Sequence, residues 1–87
     1  MYLHLGQGGV VPYRDVLGVF DLDNTSSSRV TRAFLEGAER AGRVVNASGD
    51  LPKSFVLCRH RGGEERIYLS QLSPATLLRR AESNSFE

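Results

Sequence analysis

The fold is decided by a stretch near the carboxyl end, Arg66-Ile67-Tyr68-Leu69-Ser70-Gln71-Leu72-Ser73-Pro74-Ala75-Thr76-Leu77-Leu78-Arg79-Arg80. Its first residues, Arg66-Ile67-Tyr68-Leu69, are rich in the bulky side chains that strands favour. Ser73 is a good N-cap residue, and a proline directly after it suits the first helical position. The stretch therefore predicts a strand followed by a short helix over Pro74 to about Ala81, whose two leucines must be covered by the sheet or by another subunit.

The amino-terminal part of the chain predicts a β-hairpin. Tyr2-Leu3-His4-Leu5 and Val10-Val11 flank the turn Gly6-Gln7-Gly8-Gly9, whose glycines tolerate positive φ. The apolar run Asp15–Leu22 predicts a third strand, although a short helix is also compatible with it.

The middle of the chain predicts one long helix and a second hairpin. After the cap-rich loop Asp23–Ser28, apolar residues recur at steps of three and four up to Gly42, which is typical of an amphipathic helix. Val44-Val45-Asn46 is a candidate short strand, and Ser54–Cys58 pairs with Arg66–Leu69. The expected class is α+β: a small antiparallel sheet built from two hairpins plus one strand, one amphipathic helix and a short C-terminal helix.

Length and composition limit the chain to one small domain. Its 87 residues are 40% hydrophobic and 24% charged, so we expect a single domain over 1–81 with a frayed tail over 82–87. Because a chain this short buries a modest core, association with other subunits is expected. The single cysteine, Cys58, lies in an apolar run and indicates a buried thiol in a reducing compartment. No stretch resembles a membrane helix or a signal peptide, which predicts a cytoplasmic protein.

The chain's basic residues are almost exclusively arginine. Ten of the eleven are Arg, Lys53 is the exception, and the net charge is only +1. Arginine suits phosphate and carboxylate alike, so the bias fits phosphate binding or ion pairs, and a GC-rich genome would also favour it. The candidate basic constellation consists of Arg29, Arg32, Lys53, Arg59, His60, Arg61 and Arg66.

One motif resembles part of an enzyme active site. Val19–Thr25 resembles the first motif of haloacid-dehalogenase-like phosphatases, in which two carboxylates, here Asp21 and Asp23, act on phosphorus with Mg²⁺. The rest of the chain lacks the further motifs and the parallel sheet that this chemistry needs, and a turn into a capped helix explains the same residues. The two histidines and Cys58 do not make a zinc pattern. We therefore expect no enzyme, no metal, no cofactor and no small-molecule substrate.

Three blocks in order along the chain carry a resemblance to a known family. They are Tyr2-Leu3-His4-Leu5-Gly6, Lys53-Ser54-Phe55-Val56 and Ser73-Pro74-Ala75-Thr76-Leu77-Leu78-Arg79-Arg80. Together they resemble the extracellular-matrix (biofilm) regulators of bacteria, and the RemB branch more than the RemA branch. The resemblance implies a DNA-binding transcriptional regulator that acts as a homo-oligomer, some relatives forming rings, and whose arginines contact the phosphates of duplex DNA. It also implies an association with the nucleoid.

The resemblance also implies where DNA would be contacted. In the RemA branch the contacts depend on an arginine shortly after the first hairpin and on an arginine pair in the loop between the long helix and the following strand. This chain has Arg14 displaced by one residue, with Asp15 at the aligned position, and Gly49–Pro52 before Lys53. The candidate contacts are Arg14, Arg29, Arg32, Lys53, Arg59 and Arg61. The alternative hypothesis is an oligomeric protein-interaction or scaffold module without DNA binding.

Overall fold

The structure is a computed structural model that describes residues 2–6, 9–22, 29–47 and 51–84. Two helices, six strands and one 3-10 turn occupy these residues. In chain order they are β1 (Tyr2–Gly6), β2 (Gly9–Pro12), the 3-10 turn (Tyr13–Asp15), β3 (Val16–Asp21), α1 (Arg29–Arg40), β4 (Val44–Asn46), β5 (Ser54–Arg59), β6 (Glu65–Ser70) and α2 (Pro74–Asn84).

The predicted α+β class is confirmed, but the arrangement of the strands differs from the prediction. The first hairpin, β1–β2, forms a sheet of its own, and the other four strands form a mixed sheet in the order β3-β5-β6-β4. Strand β4 runs parallel to β6, with Val44 opposite Ile67. Because β6 must run antiparallel to β5 in their hairpin, a strand that pairs with the other edge of β6 in this direction makes the sheet mixed rather than antiparallel.

The four-stranded sheet is covered on both faces. Alternation along β5 sends Phe55 to one face and Val56 to the other. The first face packs α1 through Ala38, together with Phe55 and Ile67. The second face packs the β1–β2 hairpin and α2 in a cluster of Leu3, Leu5, Val11, Ala47, Val56, Cys58 and Leu77. The two ends of the chain therefore share one core.

The ends of the two helices follow the capping signals in the sequence. Gly42 follows α1 with a φ of 73°, the left-handed conformation that a glycine accepts readily. At α2, the backbone N–H of Thr76 donates to Ser73 Oγ over 3.2 Å, which confirms the predicted N-cap. Helix α2 continues to Asn84, beyond the expected end near Ala81.

Two buried serines connect the layers. Ser70 Oγ donates a 2.7 Å hydrogen bond to the carbonyl oxygen of Leu5, which joins β6 to the first hairpin. Ser54 Oγ donates a 2.7 Å hydrogen bond to the carbonyl oxygen of Leu72, at the turn before α2. Both side chains are fully buried, so these bonds offset the cost of taking their hydroxyls out of water.

The predicted buried thiol is confirmed. Cys58 is a free cysteine with no exposed surface. Burial, with a smaller contribution from the charge of Asp15, raises the pKa of Cys58 to about 11. The thiol is therefore protonated at neutral pH and packs as a small apolar side chain. No helix within the described ranges is long and apolar enough to cross a membrane.

We expect Gly9→Ala to destabilise the fold, because the first hairpin lies very close to the residue after β4. A Cβ atom on Gly9 would lie 2.5 Å from the Cβ atom of Ala47, which is itself buried. The hairpin would have to shift to avoid that overlap, and the shift is expected to lower the free energy of unfolding by about 1–3 kcal/mol. Urea denaturation followed by circular dichroism measures it.

The control is Gly37→Ala in α1, where an added Cβ meets nothing within 4 Å. This change should raise the free energy of unfolding by up to about 1 kcal/mol, the difference in helix propensity. Equal effects of the two substitutions would contradict the close approach at Gly9.

Candidate nucleic-acid interface

Three of the predicted basic residues lie in one cleft at an end of the four-stranded sheet. Antiparallel pairing places Val16, the first residue of β3, opposite Cys58 near the end of β5. The 3-10 turn before β3 therefore meets the residues after β5. Together these segments line an open cleft of about 370 Å³, the arginine cleft, formed by Arg14, Asp15, Arg59, His60 and Arg61.

A hydrogen-bonded chain of three side chains holds the two segments together. His60 Nδ1 lies 2.8 Å from Asp15 Oδ2, and His60 Nε2 lies 2.6 Å from the hydroxyl oxygen of Tyr68 in β6. The rings of His60 and Tyr68 also meet edge to face, with centroids 5.8 Å apart. The chain fixes the 3-10 turn against the β5–β6 hairpin and so sets the positions of the neighbouring arginines.

The Tyr68 hydroxyl keeps its proton in this chain, because desolvation by burial raises the pKa of Tyr68. A protonated phenol can donate to an unprotonated ring nitrogen or accept from an N–H, so the Tyr68 contact suits either form of the imidazole. The ring nitrogen Nδ1 of His60 can donate its N–H to the Asp15 carboxylate, which only accepts.

Two arginines of the basic constellation are held by neighbouring acids. Arg59 donates to Glu65 Oε2 over 2.7 Å, and Glu65 also lies 3.7 Å from Arg43. The hydrogen bond and charge of Arg59 lower the pKa of Glu65, which is therefore ionised at neutral pH. Arg66 pairs with Glu64. An incoming phosphate would have to compete with these carboxylates.

Arg14 and Arg61 are in a different situation. Both are exposed, and neither guanidinium has a hydrogen-bonded or ionic partner among the residues that the structure describes. They come from the two segments that the Asp15–His60 contact joins. An anion entering the arginine cleft would thus meet two such cations, one from each segment.

The other three predicted residues lie elsewhere. Arg29 and Arg32 are exposed on the first turn of α1. Lys53 precedes β5 and is exposed, and its backbone N–H and carbonyl are bonded to Ser70 and Leu22. Since Arg59 closes the other end of the six-residue strand β5, Lys53 lies about 20 Å from the arginine cleft.

Sequence reasoning placed His60 in a basic constellation but missed its partners, Asp15 and Tyr68. The available signal was that Asp15 begins one strand segment while His60 follows another. That signal becomes a contact only when β3 and β5 are known to be antiparallel neighbours.

The described part of the chain contains no cluster of three or more His, Cys, Asp or Glu side chains that could hold a metal ion.

Comparison with known proteins identifies the family. The family model described as RemA-like, extracellular matrix regulatory protein A-like, matches residues 2–81. The chain belongs to this family. It is also 37% identical over 82 residues to extracellular matrix regulatory protein B of Bacillus subtilis (strain 168), an alignment that covers 94% of this chain and 91% of the relative.

The predicted resemblance is therefore confirmed. Residues 2–81 of this extracellular matrix regulator include the whole arginine cleft, Lys53 and the two exposed arginines of α1. The family is described as regulatory and not as a class of enzymes. Of the segment that resembles a phosphatase motif, Val19 to Asp21 form the end of β3, and residues 23–25 lie outside the described residues.

Proposed function

We propose that this extracellular matrix regulator binds duplex DNA through backbone phosphates, with the arginine cleft as the primary contact. The observation that carries the proposal is that the exposed side chains of Arg14 and Arg61 line one cleft, and neither guanidinium has a hydrogen-bonded or ionic partner among the described residues. Their fork of donors matches phosphate oxygens, and each charge-assisted hydrogen bond contributes more than a neutral one.

The remaining candidates form the outer part of the proposed interface. Arg29, Arg32 and Lys53 would contact phosphates farther along the duplex. Arg59 would contribute when a phosphate replaces Glu65 as its partner. These contacts are made to the DNA backbone and carry no base reading of their own. The proposed role is transcriptional regulation in the bacterial cytoplasm, at the nucleoid.

Salt dependence tests this proposal. Fluorescence anisotropy of a labelled duplex should show affinity falling steeply between about 50 and 200 mM NaCl, with a log–log slope of about −0.9 for each phosphate contacted. No change in anisotropy at the lowest salt would reject DNA binding. A salt-independent change would reject phosphate contacts as its basis.

We further propose that the protein acts as a homo-oligomer, which forms a ring where the contacts between subunits close on themselves. One subunit with a net charge of +1 offers few phosphate contacts, whereas repeated subunits add theirs along one duplex. The proposed subunit contact is an apolar cleft of about 290 Å³ lined by Phe20, Val30, Thr31, Phe34, Phe55 and Leu57. Phe20 stacks on Phe55 in its floor, and Val30 is 79% exposed.

We expect Val30→Asp to dissociate the oligomer while leaving the subunit folded. Burying a carboxylate in an apolar contact is costly, whereas in the first turn of α1 an acid favours the helix. Light scattering should report a mass that falls toward the 9.6 kDa of one chain.

The control is Leu51→Asp, at a leucine that is 81% exposed and lies outside this apolar cleft. It should keep the wild-type mass. An unchanged mass for Val30→Asp, in a protein that is oligomeric to begin with, would reject this surface as the contact.

A second candidate function is a scaffold that binds another protein and not DNA. The observation that favours it is a further apolar cleft of about 400 Å³ between α2, β1 and β3, beside Leu78, which is 61% exposed. The pairing of Arg59 and Arg66 with acids also reduces the free positive charge. This candidate predicts no shift of any duplex at physiological salt.

A further inference from the structure

The chain of Asp15, His60 and Tyr68 lies directly against the arginine cleft. Asp15 and His60 are part of the cleft lining, together with both unpaired arginines. Their side chains are mostly covered, with exposed fractions of 17% and 23%. A change of charge on either group is therefore felt by an anion in the cleft with less screening than at an open surface.

The charge of this chain depends on the imidazole. With His60 neutral, the three side chains carry the single negative charge of Asp15, which opposes an anion in the arginine cleft. With His60 protonated, that charge is balanced. Histidine is the side chain type that changes charge near neutral pH.

The other groups around His60 do not titrate in the same range. Tyr68 and Cys58 have raised pKa values and are protonated at neutral pH. Glu64 and Arg66 are paired with each other. The arginines of the cleft are always charged. Among the described groups around the cleft, His60 is thus the one whose side-chain type can change charge near neutral pH.

We propose that His60 is a positioning residue that also makes phosphate binding in the arginine cleft depend on pH. The inference rests on the proposed DNA binding at that cleft and describes how pH regulates that binding. The imidazole joins the two segments that carry Arg14 and Arg61, and its protonation balances the charge of Asp15 in the same cleft. A bound phosphate in turn favours the imidazolium, so binding takes up a proton.

The sign of the effect follows from that proton. Affinity for DNA rises as the pH falls from about 8 to 6, and one coupled proton sets a limit of about tenfold per pH unit. Because the effect is local and partly screened, we expect about a three- to tenfold gain over the whole interval.

The test uses the full chain and a labelled duplex at pH 6, 7 and 8, at constant ionic strength. The wild type should bind more tightly at pH 6 than at pH 8, and His60→Gln should lose most of that difference. His4→Gln is the matched control, since His4 is the other of the chain's two histidines and lies exposed on β1. It should keep the wild-type pH dependence. A purely structural role for His60 would lower affinity equally at every pH.

A second variant keeps the test valid if His60→Gln does not fold. Asp15→Asn preserves an oxygen acceptor but removes the negative charge, so it should bind DNA more tightly than the wild type at pH 8. Equal or weaker binding by a folded Asp15→Asn, or a pH dependence that survives in His60→Gln, overturns the inference alone. Absence of DNA binding by the wild type at every pH overturns the proposed function and the inference with it.

Discussion

Replacing Arg14 and Arg61 together by Glu is expected to weaken binding of duplex DNA by about a hundredfold at low salt. Each substitution removes a charge-assisted hydrogen bond to phosphate, worth about 1.5 kcal/mol or more, and the new carboxylates add repulsion. Neither arginine has an ionic partner among the described residues, so no internal ion pair is broken. The fold and the mass of the protein should therefore be unchanged.

The salt titration gives this prediction a second readout. Losing two phosphate contacts should make the slope of log affinity against log salt shallower by about 1.8. The matched control is Arg40→Glu with Arg79→Glu, which makes the same change in net charge at two exposed residues outside the arginine cleft. If the control pair weakens binding as much as the cleft pair, overall charge and not the cleft accounts for DNA binding.

Leu77→Ala is expected to cost about 3 kcal/mol of unfolding free energy, a large share of what a domain of this size has. Leu77 is 1% exposed and packs α2 into the core shared with the β1–β2 hairpin. Truncating it leaves a cavity between the two ends of the chain. Urea denaturation at a fixed protein concentration measures the loss, since association would otherwise add to the stability.

The neighbouring residue supplies the control. Leu78→Ala removes the same atoms, but Leu78 is 61% exposed, so this substitution should alter the free energy of unfolding by less than about 0.5 kcal/mol. A loss at Leu77 no larger than that at Leu78 would mean that α2 does not dock on the core as described.

Local signals predicted most of the secondary structure. The serine before Pro74 predicted the start of α2 because its hydroxyl caps the first turn, and Gly42 predicted the end of α1 because it accepts positive φ. The apolar run after Asp15 formed the strand rather than the alternative short helix, since β3 pairs along β5 from Val16 to Asp21.

Pairing between distant strands was not readable in the same way. The residues Val44-Val45-Asn46 do not by themselves predict that β4 pairs with β6 in parallel. That pairing depends on which edge of the sheet is free once the β5–β6 hairpin has formed. The candidate site has the same origin. Arg14 and Arg61 are 47 positions apart, and the contact between Asp15 and His60 exists only through the pairing of β3 with β5.

Asp15 illustrates why single positions transfer poorly between relatives. The resemblance places an arginine contact at this position, and an unpaired carboxylate there would repel phosphate. Here the carboxylate is bonded to His60 over 2.8 Å, while the adjacent Arg14 points its charge to the surface as an exposed side chain. The carboxylate of Asp15 thus has an internal partner, and the exposed charge beside it is that of Arg14.

The most direct test of the central claim is the mass of the protein alone and mixed with a duplex, by light scattering at about 150 mM NaCl. The account predicts a defined multiple of 9.6 kDa for the protein and a heavier complex that contains the DNA. An oligomer that leaves the duplex free would contradict DNA binding and favour the scaffold. A 9.6 kDa monomer with free DNA would contradict the proposed assembly as well.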